Sequence, residues 1–326
     1  MKCILFLMSL VVAQSSIAQT DTLYFDPASG NYIVRYIGVI HGSEDTLITF
    51  SYEPPTKIDP IIQSFVSITV DGKYLYRYKI TNGTHAQQNL NEFSLHYDST
   101  VWVESRTPET SWRNYTLRMR DYSDLHQPER VSTWVWRGDQ GLEATWYIDS
   151  CIIASEGLPT TTDSYCQAKR RILVWPADQK DPSNINISAR LLHLEVYPNA
   201  NVLRKTIGPK PPPNPFVLLP FLDTLLSYTR QSAQLGWLGI NRDDDCDDDE
   251  RPDDGVVRNI ENRLQKARRE LVRGDSVKAR RELEKLVRKV DRLQRRGERV
   301  MTSEAYALLK YNTEYLIEQL PERRRR

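Results

Sequence analysis

The chain has 326 residues, a net charge of +1, 40% hydrophobic residues and 27% charged ones. That apolar share is enough to build packed cores, which excludes an intrinsically disordered chain, and the length suits two domains. The near-neutral total excludes a uniformly basic or acidic protein but hides a segregation. Residues 241–255 carry 2 basic against 9 acidic side chains, and residues 256–326 carry 21 against 11.

The chain opens with MKCILFLMSLVVAQSSIAQ: one lysine, a short apolar run and small residues at its end. This is the pattern of a secretory signal peptide over residues 1–18, with cleavage expected after Ala18. Cys3 precedes the apolar run, where lipidation would need a cysteine just after it. No later stretch reaches the roughly 20 apolar residues that a membrane helix needs, so no transmembrane segment is expected. The mature chain is expected outside the cytosol, as an extracellular or periplasmic protein.

From Thr22 to about Pro198 the apolar residues alternate with period two. SITVDGKYLYRYKI sets two alternating runs on either side of Asp71-Gly72, a hairpin signal. Beyond that turn Tyr74, Tyr76, Tyr78 and Ile80 share one face. Further strands are expected in NYIVRYIGV, TLITFSY, FSLHY, VWVES, NYTLRMR, STWVWR, EATWYIDS, RRILVW and ARLLHLEVY. About ten short strands separated by turn residues predict an antiparallel β-sandwich over residues 19–207. The stripe Tyr74, Tyr76, Tyr78 with Trp134 and Trp136 suits either the inner face of that sandwich or a ring platform for sugars. In an oxidising compartment Cys151 and Cys166 are candidates for a disulfide closing a loop of roughly 15 residues, worth about 3 kcal/mol in the chain-entropy account. Cys246 is then left over.

GPKPPPNP, residues 208–215, reads as a stiff proline-rich linker. Beyond it the period becomes that of helices. FVLLPFLDTLLSYTRQSAQLGW forms the first. Val257, Ile260, Leu264, Ala267 and Leu271 make one stripe, which Gly274 ends. Asp275 caps the next helix, whose stripe is Ala279, Leu283, Leu286, Val290 and Leu293. After Gly297, Thr302 or Ser303 caps a last helix with Ala305, Leu308, Leu309, Leu316 and Leu320 inward. Residues 216–321 are therefore expected to form an antiparallel bundle of three or four helices, followed by a basic tail at 322–326.

On LLSYTRQSAQLGWL, GVVRNIENRLQKARRELVRGDSVKARRELEKLVRKV and SEAYALLKYNTEYLIEQL, residues 215–321 resemble the FIMAH domain. The resemblance implies a small helical module of the kind appended to secreted bacterial proteins, often hydrolases or surface proteins. The chain departs from that pattern at the acidic insert 242–255. YEPPTKIDPIIQSFV, YLYRYKITNGTHAQQNLNEFSL and ASEGLP make the first half similar to uncharacterised secreted bacterial domains of immunoglobulin-like type.

The acidic run RDDDCDDDERPDDG fails the helix-loop-helix calcium pattern, because position 6 counted from Asp243 is Asp248 rather than glycine and position 12 is Asp254 rather than glutamate. It stays open as a solvated loop, as an irregular calcium site on Asp243, Asp245, Asp247 and Asp249, or as a partner surface. No other cofactor is expected. Arg268, Arg269, Arg280, Arg281 and Arg288 suit either a solvated helix face or a polyanion surface. The five histidines are scattered, and no nucleophile elbow, phosphate loop or zinc spacing is present. Two functions remain: a non-enzymatic exported binding protein with an extracellular glycan or another protein as partner, and an envelope or extracellular hydrolase with an acid pair on the β domain.

Overall fold

The computed structural model describes residues 22–40, 43–98, 100–106, 112–118, 129–136, 141–168, 201–239, 254–297 and 300–321. The leader, the expected strands RRILVW and ARLLHLEVY, the acidic residues up to Asp253 and the basic tail lie outside them.

The chain divides into two compact units. One comprises residues 1–55 with 170–200, the other residues 56–169 with 201–326. The first unit holds an antiparallel meander of β1 (Thr22–Asp26), β2 (Asn31–Ile40) and β3 (Ser43–Tyr52). Its small core consists of Val34, Tyr36, Ile48 and Tyr52.

The second unit contains a β-sandwich. One sheet runs in the order β4 (Pro60–Ile68), β5 (Tyr74–Asn82), β10 (Tyr147–Ser155), β7 (Val103–Arg106). The other runs β12 (Val202–Lys210), β11 (Leu158–Ala168), β6 (Leu90–Asp98), β9 (Glu129–Trp136), β8 (Trp112–Arg118). All pairings are antiparallel. The expected hairpin at Asp71-Gly72 forms with Ile68 opposite Tyr74, and Gly72 takes a φ of 81°, which a glycine adopts without strain. Inward residues of both sheets make one core, with Tyr76, Tyr78, Ile80 and Ile153 facing Phe93, Leu95, Trp134 and Ile207.

Four helices follow: α1 (Leu218–Gln234), α2 (Asp254–Val272), α3 (Ser276–Gln294) and α4 (Ser303–Glu318). Their termini follow the expected chemistry. Gly274 has a φ of 79°, Asp275 accepts from the Lys278 amide at 2.9 Å, and Thr302 accepts from that of Ala305. The five predicted inward residues of α3 are all buried.

The proline segment does not hold two bodies apart, as a linker would. Gly208, Pro209 and Lys210 belong to β12 and pair with Thr160, Pro159 and Leu158 of β11. The bundle packs directly on the sandwich through α4, whose burial is not confined to one stripe. Ala305, Leu309, Leu316 and Leu320 enter the bundle core, while Leu308 enters the core between the sheets. A helix buried on more than one side is apolar over most of its circumference; Ala307, Leu308, Leu309, Tyr311, Asn312 and Thr313 are consecutive or nearly so, and all are buried.

Polar groups complete the junction. Among the described residues β4 pairs with a strand on one side only, which leaves Ser64 and Val66 with outward backbone groups. The Ser64 amide donates to the Glu304 carboxylate, and the Val66 carbonyl accepts from Tyr311 Oη at 2.8 Å. Further along the same edge the Pro60 carbonyl accepts from Arg204 Nε at 2.9 Å. Ser64 Oγ meets Thr206 Oγ1 of β12. Glu304 is 4% exposed. Its burial pushes the carboxyl above its ordinary value of 4.5, against the opposing pull of hydrogen bonds from the Ser64 amide, Thr302 and Ser303.

Two outcomes follow. Leu308→Ala is expected to cost about 2–5 kcal/mol, because it opens a void in a packed core. In denaturant melts, tryptophan fluorescence and helical circular dichroism should fall together in the second unit; a helix transition well separated from the sheet transition would contradict the shared core. Glu304 binds its proton more readily folded than unfolded, so its contribution is greatest in acid and declines as pH rises from 4.5 through the raised value. Glu304→Gln should remove that decline, read as the wild-type-minus-variant stability across acid to neutral pH. Glu304→Ala should cost about 1–3 kcal/mol at any pH by leaving the Ser64 amide unpaired.

Candidate functional site: a proline-walled cleft

Where β11 and β12 meet the helices, a cleft of about 230 Å³ opens. Pro159 and Leu158 form its floor from β11, Pro211, Pro213 and Pro215 one wall, and Pro220 and Phe221 of α1 the other. Proline fixes φ, so these walls lose little freedom when a ligand enters. The sequence places Pro220 in the first turn of α1, where a missing amide leaves no hydrogen bond broken.

Four polar side chains reach the cleft: Lys210, Thr224, Tyr228 and Asn312. Tyr228 Oη is held 2.8 Å from Thr160 Oγ1, and burial raises its pKa. Asn312 Nδ2 donates to the carbonyls of Pro159 and Leu308 at 2.8 and 2.9 Å, which fixes the amide at the junction of sheet and helix. Among the described residues no carboxylate, histidine or cysteine lines the cleft. Mostly apolar walls with a few fixed polar groups suit binding rather than proton transfer.

The residues singled out from the sequence fall elsewhere. Tyr76, Tyr78 and Trp134 do not form a ring platform, because all three are 0% exposed in the sandwich core. The Tyr76 and Tyr78 hydroxyls donate to the carbonyls of Gly157 and Ile207 at 2.6 and 2.8 Å, so each ring is anchored inward. Trp136 is half-buried against the same core, and Tyr74 packs edge-on to Tyr311 of α4 at 5.5 Å. Among the described residues, the rings that stand in solvent are Tyr24 and Phe25 in the first unit and Trp102, Trp146 and Tyr147 in the second. Lys73 lies over Trp102 at 4.7 Å and Lys79 over Tyr147 at 4.4 Å. Of the two readings that the β5 stripe left open, the inner face of the sandwich holds for Tyr76, Tyr78 and Trp134, while the outward ring of Tyr147 was not among the residues singled out from the sequence.

Cys151 and Cys166 are free thiols, each 0% exposed, rather than a disulfide. They come from β10 and β11, in opposite sheets, and share the core between them. A bulge between Asp149 and Cys151 turns Cys151 inward, opposite Tyr78. Burial pushes both thiols up, so neither is a nucleophile at neutral pH.

Asp243, Asp245, Asp247 and Asp249 lie outside the described residues. Among the described residues no three metal-binding side chains gather. Arg268, Arg269, Arg280, Arg281 and Arg288 do not form one surface group. Arg268 pairs with Asp223 of α1 at 3.1 Å; Arg280 bonds Glu284 and the carbonyls of Ile317 and Leu320 at 3.3, 3.3 and 3.0 Å. These two fasten helices to one another. Arg269, Arg281 and Arg288 are exposed.

The family model of the FIMAH domain matches residues 244–318, which takes in α2, α3 and α4 and leaves α1 outside. Among solved structures, the chain is similar to an uncharacterised protein from Nocardia farcinica whose crystal structure reveals an immunoglobulin-like fold. Identity is 9%, with 32% of this chain and 75% of that one covered and a TM-score of 0.24. No curated protein matches. No helix among the described residues is long and apolar enough to cross a membrane.

Under native conditions Cys151 and Cys166 should resist alkylation and react only on unfolding, as mass-spectrometric mapping would record. Rapid native labelling of either, or a linked peptide pair, would contradict two buried thiols.

Proposed function

We propose that this chain is an exported, non-enzymatic binding protein in which sandwich and FIMAH-type helices act as one block and the proline-walled cleft is the recognition site. The composition of the cleft carries this reading. Its walls are prolines, Leu158, Val217 and Phe221, Tyr228, Asn312 and Thr224 are already held by hydrogen bonds, and its described lining contains no carboxylate or histidine. A volume of about 230 Å³ admits one ring-bearing ligand, with the rings of proline and Phe221 against its faces. Lys210, exposed and part of the lining, favours a carboxylate or other anionic substituent on that ring. The leader pattern supports export.

The rival reading, an envelope hydrolase, needs two carboxylates roughly 5 to 10 Å apart across a substrate. The cleft supplies none.

Ligand-detected magnetic resonance with a panel of aromatic and alicyclic carboxylates tests the cleft. Signals from the bound ring are expected with the wild type, weaker for Lys210→Gln and lost for Thr224→Trp, which fills the space. Binding unaffected by both changes would place recognition elsewhere. Hydrolysis of any polysaccharide or peptide by the purified chain, abolished by one acid-to-amide change, would overturn the non-enzymatic reading.

A further inference from the structure

We propose that the outer face of α3 is a binding surface for an acidic polysaccharide carrying about one carboxylate per sugar ring. The face is set by helical geometry. Arg281, Lys285, Arg288, Arg292 and Arg295 follow one another at intervals of 4, 3, 4 and 3 residues. At 100° per residue all five project within about 40° of one direction. The buried set Ala279, Leu283, Leu286, Val290 and Leu293 points the opposite way, into the bundle.

All five cations are exposed. The acids of the helix stand beside this stripe rather than along its centre line. Glu282 and Asp291 stand only 19% and 32% exposed, the first against Arg263 and Lys285, the second against Lys310 and the Tyr306 hydroxyl. Glu284, 42% exposed, is turned to Arg280. Of the stripe, Lys285 alone has an ion pair among the described residues, with Glu282, while Arg292 Nε donates to the Arg288 carbonyl. Arg281, Arg288 and Arg295 make no ion pair among the described residues. The centre line of the face is thus cationic, with Glu284 at one margin and Asp275 near Arg281 at its N-terminal end.

Spacing and composition choose the partner. From Arg281 to Arg295 the helix rises about 21 Å, so one cation falls every 5 Å or so. That repeat is close to the length of one sugar ring in a chain. Duplex DNA presents a charge about every 1.7 Å of its axis, much denser than the stripe. The stripe also lacks the amide and hydroxyl side chains that read base edges and the rings on which bases stack. Four of its five cations are guanidinium groups, whose fork matches a carboxylate in two parallel hydrogen bonds. A polyuronate outside the cell meets these conditions. The surface is separate from the cleft, so the two stand or fall independently.

The test is binding of the full mature chain to polygalacturonate, with a neutral glucan and duplex DNA as comparison polymers, at several salt concentrations. Polygalacturonate is expected to bind with a steep salt dependence and the glucan not at all. R281Q/R288Q/R295Q should weaken binding at least tenfold at low salt and flatten the logarithmic salt slope by about two, roughly 0.7 for each contact removed from a polymer less densely charged than duplex DNA. R281K/R288K/R295K should keep most of the binding, and R273Q, an exposed arginine outside both the stripe and the cleft, should keep all of it. The triple glutamine variant is expected to retain the wild-type helix melt, because all three side chains are exposed. Unchanged binding by that variant, salt-independent retention, or tighter binding to DNA than to polygalacturonate at equal salt would each overturn the proposal.

Discussion

An edge strand of a β-sheet carries backbone donors and acceptors that have no neighbour, and they must find partners or face water. In this protein the edge at β4 is closed by side chains from outside the sheet. Glu304 takes the Ser64 amide, Tyr311 gives to the Val66 carbonyl and Arg204 to that of Pro60. The remaining features of the second unit are arranged around that closure. α4 must lie along β4 to deliver its two side chains, so Leu308 comes to rest between the sheets and Leu309 within the bundle. Asn312 then reaches Pro159, and the cleft forms between this helix, α1 and the end of β12.

Much of this was legible in the sequence, and the reason differs from element to element. The stripe of α3, its Asp275 cap and the left-handed Gly274 are local features, encoded by residues three or four apart. The hairpin at Gly72 is likewise local. β11 and β12 were harder to see. LPTTTDSYCQA and VLRKTIGPK lack clean alternation, because Gln167 and Ala168 are buried in succession and Thr206 through Pro209 are buried together where the helices cover them. Period-two reasoning assumes one wet face, and these strands have little of one. Cys151 illustrates the same limit: counting by twos from Tyr147 puts it outside, and one inserted residue puts it inside.

The site was the least visible part. Its walls come from β11, the proline segment, α1 and α4, separated by as much as 153 residues between Pro159 and Asn312. No local pattern joins them. The sequence did contain one hint, since the bundle's last helix does not have the narrow apolar stripe of its neighbours. AYALLKYNTEYLIEQL mixes Asn312, Thr313 and Tyr311 among its leucines, and buried polar side chains on a helix announce hydrogen-bonding partners beyond the bundle. The proline run gave the opposite impression. Prolines after a β-strand read as a spacer, yet here Pro209 remains in the ladder, and its successors serve as wall.

The closure of β4 also bears on what a transplant of the helical segment would leave behind. The matched segment 244–318 contains both residues that α4 contributes to the strand, so any transplant carries the clasp away from its bed. What remains behind is a sandwich with a raw margin, able to recruit a strand from a neighbouring molecule. The exchange is therefore asymmetric. The sandwich left behind carries the greater hazard.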